Sequence, residues 1–176
     1  GTPKVMMDWL FFTSASEPTV TLPVLLIYDL TSGAVTTMQV GKDCAATTVA
    51  AICRALDTLG HADVVLHMDG EPASKALVRA VATARLHRTL PRHGPPHSHQ
   101  SQGPVEATIE VYRGIFTANK LALESAIGRS LPLGHKLWTW LARHVGWLIT
   151  RYNTGIDGLT PYRRLYGKAY PGSICR

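Results

Sequence analysis

The segment VMMDWLFF, residues 5–12, places one carboxylate inside an otherwise apolar run. A continuous apolar run of this length predicts a buried strand. A carboxylate within such a strand is costly unless it is paired or bound to a metal ion. Residues 5–12 are therefore predicted to form a buried strand, and Asp8 is predicted to belong to a functional site.

The length of 176 residues suits one domain, and no apolar run reaches the roughly 18 residues of a membrane span. The chain starts with Gly1-Thr2-Pro3 and no initiator methionine, so we expect a piece of a longer polyprotein. Its three cysteines are odd in number and far apart, which favours a reducing, intracellular compartment over a disulfide framework.

Charge is divided unevenly along the chain. Residues 1–71 carry three Lys/Arg and eight Asp/Glu, a net charge of −5. Residues 72–176 carry fifteen Lys/Arg and four Asp/Glu, a net charge of +11, and the two parts sum to the overall +6. Lys75 and Arg79 belong to an acid-free stretch between Glu71 and Glu106. Such a surface suits a polyanion, because neutralised phosphates release counterions. The alternative is a basic surface that serves only solubility, and charge alone does not separate the two.

Hydrophobic periodicity and turn residues predict the order of elements. Strands are expected at residues 4–12, 24–28, 34–40 and 63–68, with a polar loop over 13–23 and a hairpin turn at 29–33. Helices are expected over 45–59, 72–85, about 104–127, 135–153 and from Pro161. The proline-rich residues 91–104 predict a mobile loop. This order indicates an α/β fold, a mixed sheet with helices on its faces.

Two further acids occupy positions that suit a site shared with Asp8. Asp69 follows the apolar run VVLHM, residues 64–68, and Glu106 stands in the first turn of the helix after the proline-rich loop. Carboxylate oxygens suit Mg²⁺, and two ions about 3.5–4 Å apart clamp both oxygens of an in-line phosphoryl displacement. Singly, Asp69 could be a turn residue and Glu106 an acid favoured by the helix dipole. Together the three predict a carboxylate metal site.

The arrangement of these residues resembles the catalytic core of retroviral and retrotransposon integrases, a ribonuclease H-like family. Asp8, Asp69 and Glu106 match its D, D, E triad. The segment HSHQSQGPVE, residues 97–106, is similar to its Pro-Gln-Ser-x-Gly-x-x-Glu signature. The segment TPYRRLYG, residues 160–167, resembles its closing Thr-Pro-Tyr motif. The resemblance covers nearly the whole chain in order.

The resemblance implies a ribonuclease H-like, five-stranded mixed sheet flanked by helices, with residues 1–176 forming one catalytic core and no N-terminal zinc domain. It implies a metal-dependent polynucleotidyl transferase that trims DNA ends and joins them to target DNA. The triad would hold Mg²⁺ or Mn²⁺, two ions with substrate bound. The implied partners are DNA and further copies of the chain, in the nucleus and without a membrane. DNA contacts are expected from Gln100, Arg113, Lys120, Lys75 and Arg79.

Two alternatives stay open. One is a nuclease of the same fold that acts on RNA–DNA hybrids or DNA junctions, since a fold does not decide an activity. The other is a transposon-derived remnant that binds DNA but has lost catalysis. The sequence departs from the integrase pattern at His99, Ala107 and Glu110, where Pro or basic residues are usual.

Overall fold

The computed structural model describes residues 1–94 and 103–173. The strands are β1 (Lys4–Ser14), β2 (Glu17–Asp29), β3 (Val35–Gln39), β4 (Val64–Met68) and β5 (Thr89–His93). The helices are α1 (Ala46–Thr58), α2 (Pro72–Ala84), α3 (Gly103–Ile127), α4 (Lys136–Tyr152) and α5 (Pro161–Tyr166). No helix in the described part of the chain is long and apolar enough to cross a membrane.

The strands form one sheet in the order β3-β2-β1-β4-β5. Strand β1 is antiparallel to β2, and β2 to β3, whereas β1, β4 and β5 run parallel. Helices cover both faces of this sheet, so the predicted five-stranded mixed sheet of ribonuclease H type is confirmed.

The alternation of side chains along β1 divides the core into two layers. Val5 and Met7 pack in one buried cluster with α1 and α2. Met6 and Leu10 pack in the other with α3 and α4. By the same alternation, Asp8 belongs to the face covered by α3 and α4.

The predicted polar loop over residues 13–23 is wrong. Strand β1 continues to Ser14 and β2 begins at Glu17, so the two strands form one long hairpin. The polar residues of this stretch suggested a loop, but even Pro23 pairs with Phe11 on β1. The pairing of β2 with β3 reaches only Val24, so no β3 residue needs an N–H from Pro23.

The proline-rich stretch from residue 91 also begins as a strand rather than a loop. Its first residues belong to β5, with Pro91 opposite Leu66 of β4. Strand β5 lies at an edge of the sheet, where the missing N–H of a proline is tolerated. The remainder of the predicted loop, residues 95–102, lies outside the described residues.

The contact between α4 and β3 requires a glycine at position 146. A Cβ there would collide with Oγ1 of Thr37 and lie 3.1 Å from the backbone nitrogen of Thr37. That hydroxyl cannot move freely, because it donates a 2.6 Å hydrogen bond to the carbonyl of Ala142.

We therefore expect Gly146→Ala to lower the free energy of unfolding by about 1–3 kcal/mol through overpacking. Gly114→Ala on α3 is the matched control, because a Cβ there meets nothing within 4 Å. It should raise the same quantity by about 0.5–1 kcal/mol through helix propensity. Urea denaturation measures both, and a stabilising Gly146→Ala would contradict the described packing.

Candidate metal centre

Asp8 and Asp69 are brought side by side by the pairing of β1 with β4. The parallel register sets Met6 opposite His67. Continued for two residues, which takes it one residue past the end of β4, the same register sets Asp8 opposite Asp69. Adjacent strands lie about 4.8 Å apart, so two carboxylates on one face come within reach of a shared cation.

Glu106 approaches the same face from the helix above it. It lies in the first turn of α3, directly after Val105, which is buried in the cluster that also contains Met6. Asp8 and Asp69 are half-buried and Glu106 is exposed. Asp8 in β1, Asp69 directly after β4 and Glu106 in α3 therefore lie near enough for the charges of Asp69 and Glu106 to act on Asp8.

The pKa of Asp8 is raised from 3.8 to about 6. Burial is the largest cause, and the negative charges of Asp69 and Glu106 raise this pKa further. A hydrogen bond from the Trp9 backbone N–H to Oδ1 of Asp8, at 2.7 Å, and the charge of Lys42 act in the opposite direction. The three carboxylates thus repel one another, and a cation between them would relieve that repulsion.

The donor set fits a divalent cation. Oδ1 of Asp69 is buried and receives no hydrogen bond from the described residues. A buried carboxylate oxygen without a partner is costly, and hard cations such as Mg²⁺ or Mn²⁺ bind oxygen ligands of this kind.

Within residues 1–94 and 103–173, no three His, Cys, Asp or Glu side chains are close enough together to hold an ion as they stand.

Asp29 shows how a structural carboxylate differs from these three. It is fully buried, and its oxygens accept hydrogen bonds from the backbone N–H groups of Thr31 at 3.2 Å and Ser32 at 3.1 Å. The hydroxyl of Ser32 donates a further bond at 2.6 Å, and His61 lies 3.2 Å from Oδ1. The hairpin turn predicted over residues 29–33 is confirmed, and the Asp29 carboxylate stabilises it.

The predicted DNA-contacting residues fall into three groups. Lys75 and Arg79 are exposed on α2, the helix that follows Asp69. Arg113 and Lys120, on α3, have internal contacts. Gln100 lies outside the described residues. The DNA contact stays a prediction for all five.

The internal contacts of the two α3 residues are specific. Nη1 of Arg113 donates to the carbonyl of Phe11 at 3.3 Å, and its guanidinium lies 5.6 Å from the ring centroid of Phe12. Nζ of Lys120 pairs with Glu124 at 2.8 Å and lies 5.2 Å from the ring centroid of Trp138. Both side chains would have to leave these partners, at least in part, to contact a phosphate.

One charged pair beside the centre was not predicted. Nζ of Lys42, in the loop between β3 and α1, lies 2.5 Å from Oε2 of Glu71. The charge of Lys42 acts on Asp8. The available sequence signal was weak: Lys42 is one of three cations among residues 1–71.

Solved structures similar to this chain include retroviral integrases. The magnesium complex of the HTLV-2 integrase catalytic core domain, in its trimeric form, has a TM-score of 0.65 and 16% sequence identity, covering 93% of this chain and 95% of that one. The BIV integrase core has a TM-score of 0.63 and 16% identity, covering 95% of each chain. This chain has the fold of a retroviral integrase catalytic core.

The integrase core fold also matches part of a larger assembly. In the simian T-cell lymphotropic virus intasome, solved with PP2A regulatory subunit B56 gamma, the match covers 98% of this chain and 60% of that one, with a TM-score of 0.67 and 17% identity. No family model and no curated protein sequence matches the chain. The resemblance drawn from the D, D, E residues is thus confirmed for the fold, and activity has to be argued from the site.

Proposed function

We propose that this chain is a metal-dependent polynucleotidyl transferase of retrotransposon type, which processes DNA ends and joins them to target DNA. The observation that carries the proposal is the β1–β4 register, which sets Asp8 opposite Asp69 on the face that Glu106 approaches. The integrase core fold supports it, because the known structures of this shape include magnesium complexes.

The chain's own residues would contribute position and charge. Asp8 in β1 and Asp69 directly after the paired strand β4 would hold the cations in place, and Glu106 would complete the ligand set from α3. When bound, the divalent cations would activate the attacking oxygen and stabilise the leaving oxygen of the phosphodiester. Asp8 must be ionised to act as a ligand, and its pKa of about 6 leaves it mostly ionised at neutral pH. Lys75 and Arg79 would hold the DNA backbone along α2.

The decisive experiment incubates the purified chain with labelled element-end oligonucleotides, a target plasmid and Mg²⁺ or Mn²⁺. Trimming of the 3′ end followed by joining to the plasmid is the expected result. Cleavage of RNA–DNA hybrids or junctions without joining would favour the ribonuclease H-like nuclease. DNA binding without metal-dependent chemistry would favour the catalytically degenerate remnant.

DNA is the proposed partner, and its contacts with α2 can be measured. Lys75→Ala and Arg79→Ala should each weaken DNA binding to the same extent for duplexes of unrelated sequence. Each removes one phosphate contact, so the slope of log binding constant against log salt concentration should become about 0.9 less steep. Lys168→Ala, an exposed lysine that follows α5, is the control and should leave the slope unchanged. Unchanged slopes for both α2 variants would place the DNA elsewhere.

We also propose that the chain acts in the nucleus, where chromosomal target DNA lies, and that it works as a dimer or higher oligomer. The support for oligomers comes from solved relatives in fold, which include dimeric and trimeric forms of the HTLV-2 core. Light scattering would then give a mass at least twice the 19.2 kDa of one chain.

A further inference from the structure

Lys42 lies in a loop that the surrounding residues fix in place. The loop joins β3 to α1, and Asp43, the residue after Lys42, stabilises its backbone through side-chain hydrogen bonds. Oδ1 of Asp43 accepts hydrogen bonds from the backbone N–H of Ala45 at 3.1 Å and from the hydroxyl of Thr48 at 3.2 Å. These bonds fix the backbone from which the Lys42 side chain extends.

The side chain of Lys42 ends on Glu71. Nζ and Oε2 are 2.5 Å apart, and the two side chains are 34% and 55% exposed. Glu71 is the N-cap residue of α2, yet its carboxylate makes no capping hydrogen bond to that helix. An exposed ion pair contributes only about 0–1 kcal/mol to stability, so a stronger anion can displace Glu71 from the lysine.

The pair stands at the edge of the carboxylate centre. Glu71 follows Asp69 by two residues in the turn that leads into α2. The charge of Lys42 reaches Asp8, where it opposes the effects of Asp69 and Glu106 on the pKa. A phosphodiester bound at the centre would therefore come close to the ammonium group of Lys42.

We propose that Lys42 is a substrate-positioning residue, which exchanges Glu71 for a phosphate oxygen of the DNA backbone next to the cation site. This inference rests on the proposed function. In the free protein Glu71 pairs with the lysine and neutralises its charge. In the complex the lysine contacts one phosphate as a compact point charge, and Glu71 turns to solvent.

The test is a double-mutant comparison of DNA binding, made in a Glu106→Gln background so that no turnover occurs. Anisotropy of a short labelled duplex in Mg²⁺ is followed across a KCl series. Lys42→Ala should weaken binding about 10-fold and lower the salt slope by about 0.9, the value for one phosphate. Lys42→Arg should keep most of the affinity. Glu71→Gln should tighten binding, because it removes the competing anion.

The combined Lys42→Ala/Glu71→Gln variant decides between positioning and a merely structural role. If Lys42 contacts phosphate, the double variant binds as weakly as Lys42→Ala alone. If the pair only ties the loop to the α2 turn, Lys42→Ala and Glu71→Gln weaken binding alike, and the inference is overturned. Thermal unfolding checks that each variant folds, and Lys42→Gln replaces Lys42→Ala if the alanine variant does not.

Failure of this inference can be told apart from failure of the proposed function. A parent chain that binds and joins DNA, with affinity and salt slope unchanged in Lys42→Ala, overturns only the role of Lys42. A parent chain that neither binds nor joins DNA overturns both.

Discussion

Asp69→Asn and Glu106→Gln are each expected to reduce metal-dependent cutting and joining of DNA by about 10³-fold or more, with the fold retained. Each removes a charged oxygen ligand, and a metal ion supplies several kcal/mol of charge stabilisation in the transition state. Neither substitution opens a cavity, because Asn and Gln keep the shape of the acids they replace. Quantified products on a denaturing gel give the rates, and circular dichroism checks the fold.

The control for these variants is Asp63→Asn, which removes an acid from the opposite end of β4. Asp63 is exposed and accepts a hydrogen bond from the backbone N–H of Arg88 at 3.2 Å. It should retain full activity. Wild-type rates from Asp69→Asn or Glu106→Gln in Mg²⁺ would remove the triad from the mechanism.

Asp8→Asn is expected to stabilise the metal-free protein at pH 7.5 by as much as about 3 kcal/mol. The pKa of Asp8 is about 6 in the folded state against 3.8 for the ordinary carboxyl, and each pKa unit corresponds to about 1.4 kcal/mol. At pH values between these two pKa values, Asp8 stays protonated in the folded state more than in the unfolded state. The unfolding free energy of the wild type should therefore fall as pH rises from about 4 to about 6 and stay lower above that.

Denaturant unfolding in EDTA over this pH range measures the effect. The Asn variant should lack the part of the pH dependence that Asp8 contributes, and added Mg²⁺ should stabilise the wild type more than the variant. Asp29→Asn is the contrasting variant. The Asp29 carboxylate accepts two hydrogen bonds from Ser32, so this change should lower the free energy of unfolding of the protein. A destabilising Asp8→Asn would mean that burial and the neighbouring carboxylates do not penalise the charged form of Asp8 in the folded protein.

Local chemistry allowed part of the fold to be predicted. Asp8 stood out because a charge rarely lies inside an apolar strand without a partner. The short final helix was predicted to begin at Pro161, and the hydroxyl of the preceding Thr160 accepts a hydrogen bond from the N–H of Arg163, at 3.2 Å. Both signals lie within a few residues of the feature they predict.

Features that depend on distant pairing were not predictable in this way. The β1–β4 register, which sets Asp8 opposite Asp69, depends on two strands far apart in the chain. Strand β5 was missed because Pro91 normally marks a loop, and only its position at the sheet edge makes it tolerable. The direction of the Arg113 side chain, toward Phe11, does not follow from its position about 10 Å along the helix from Glu106.

The shared cation site is tested most directly by anomalous diffraction from a crystal soaked in Mn²⁺. We expect a manganese peak between the carboxylates of Asp8 and Asp69, with oxygen ligands at about 2.0–2.2 Å, and no such peak in Asp69→Asn crystals. A wild-type crystal at saturating Mn²⁺ with no peak between these two residues would contradict the proposed metal centre.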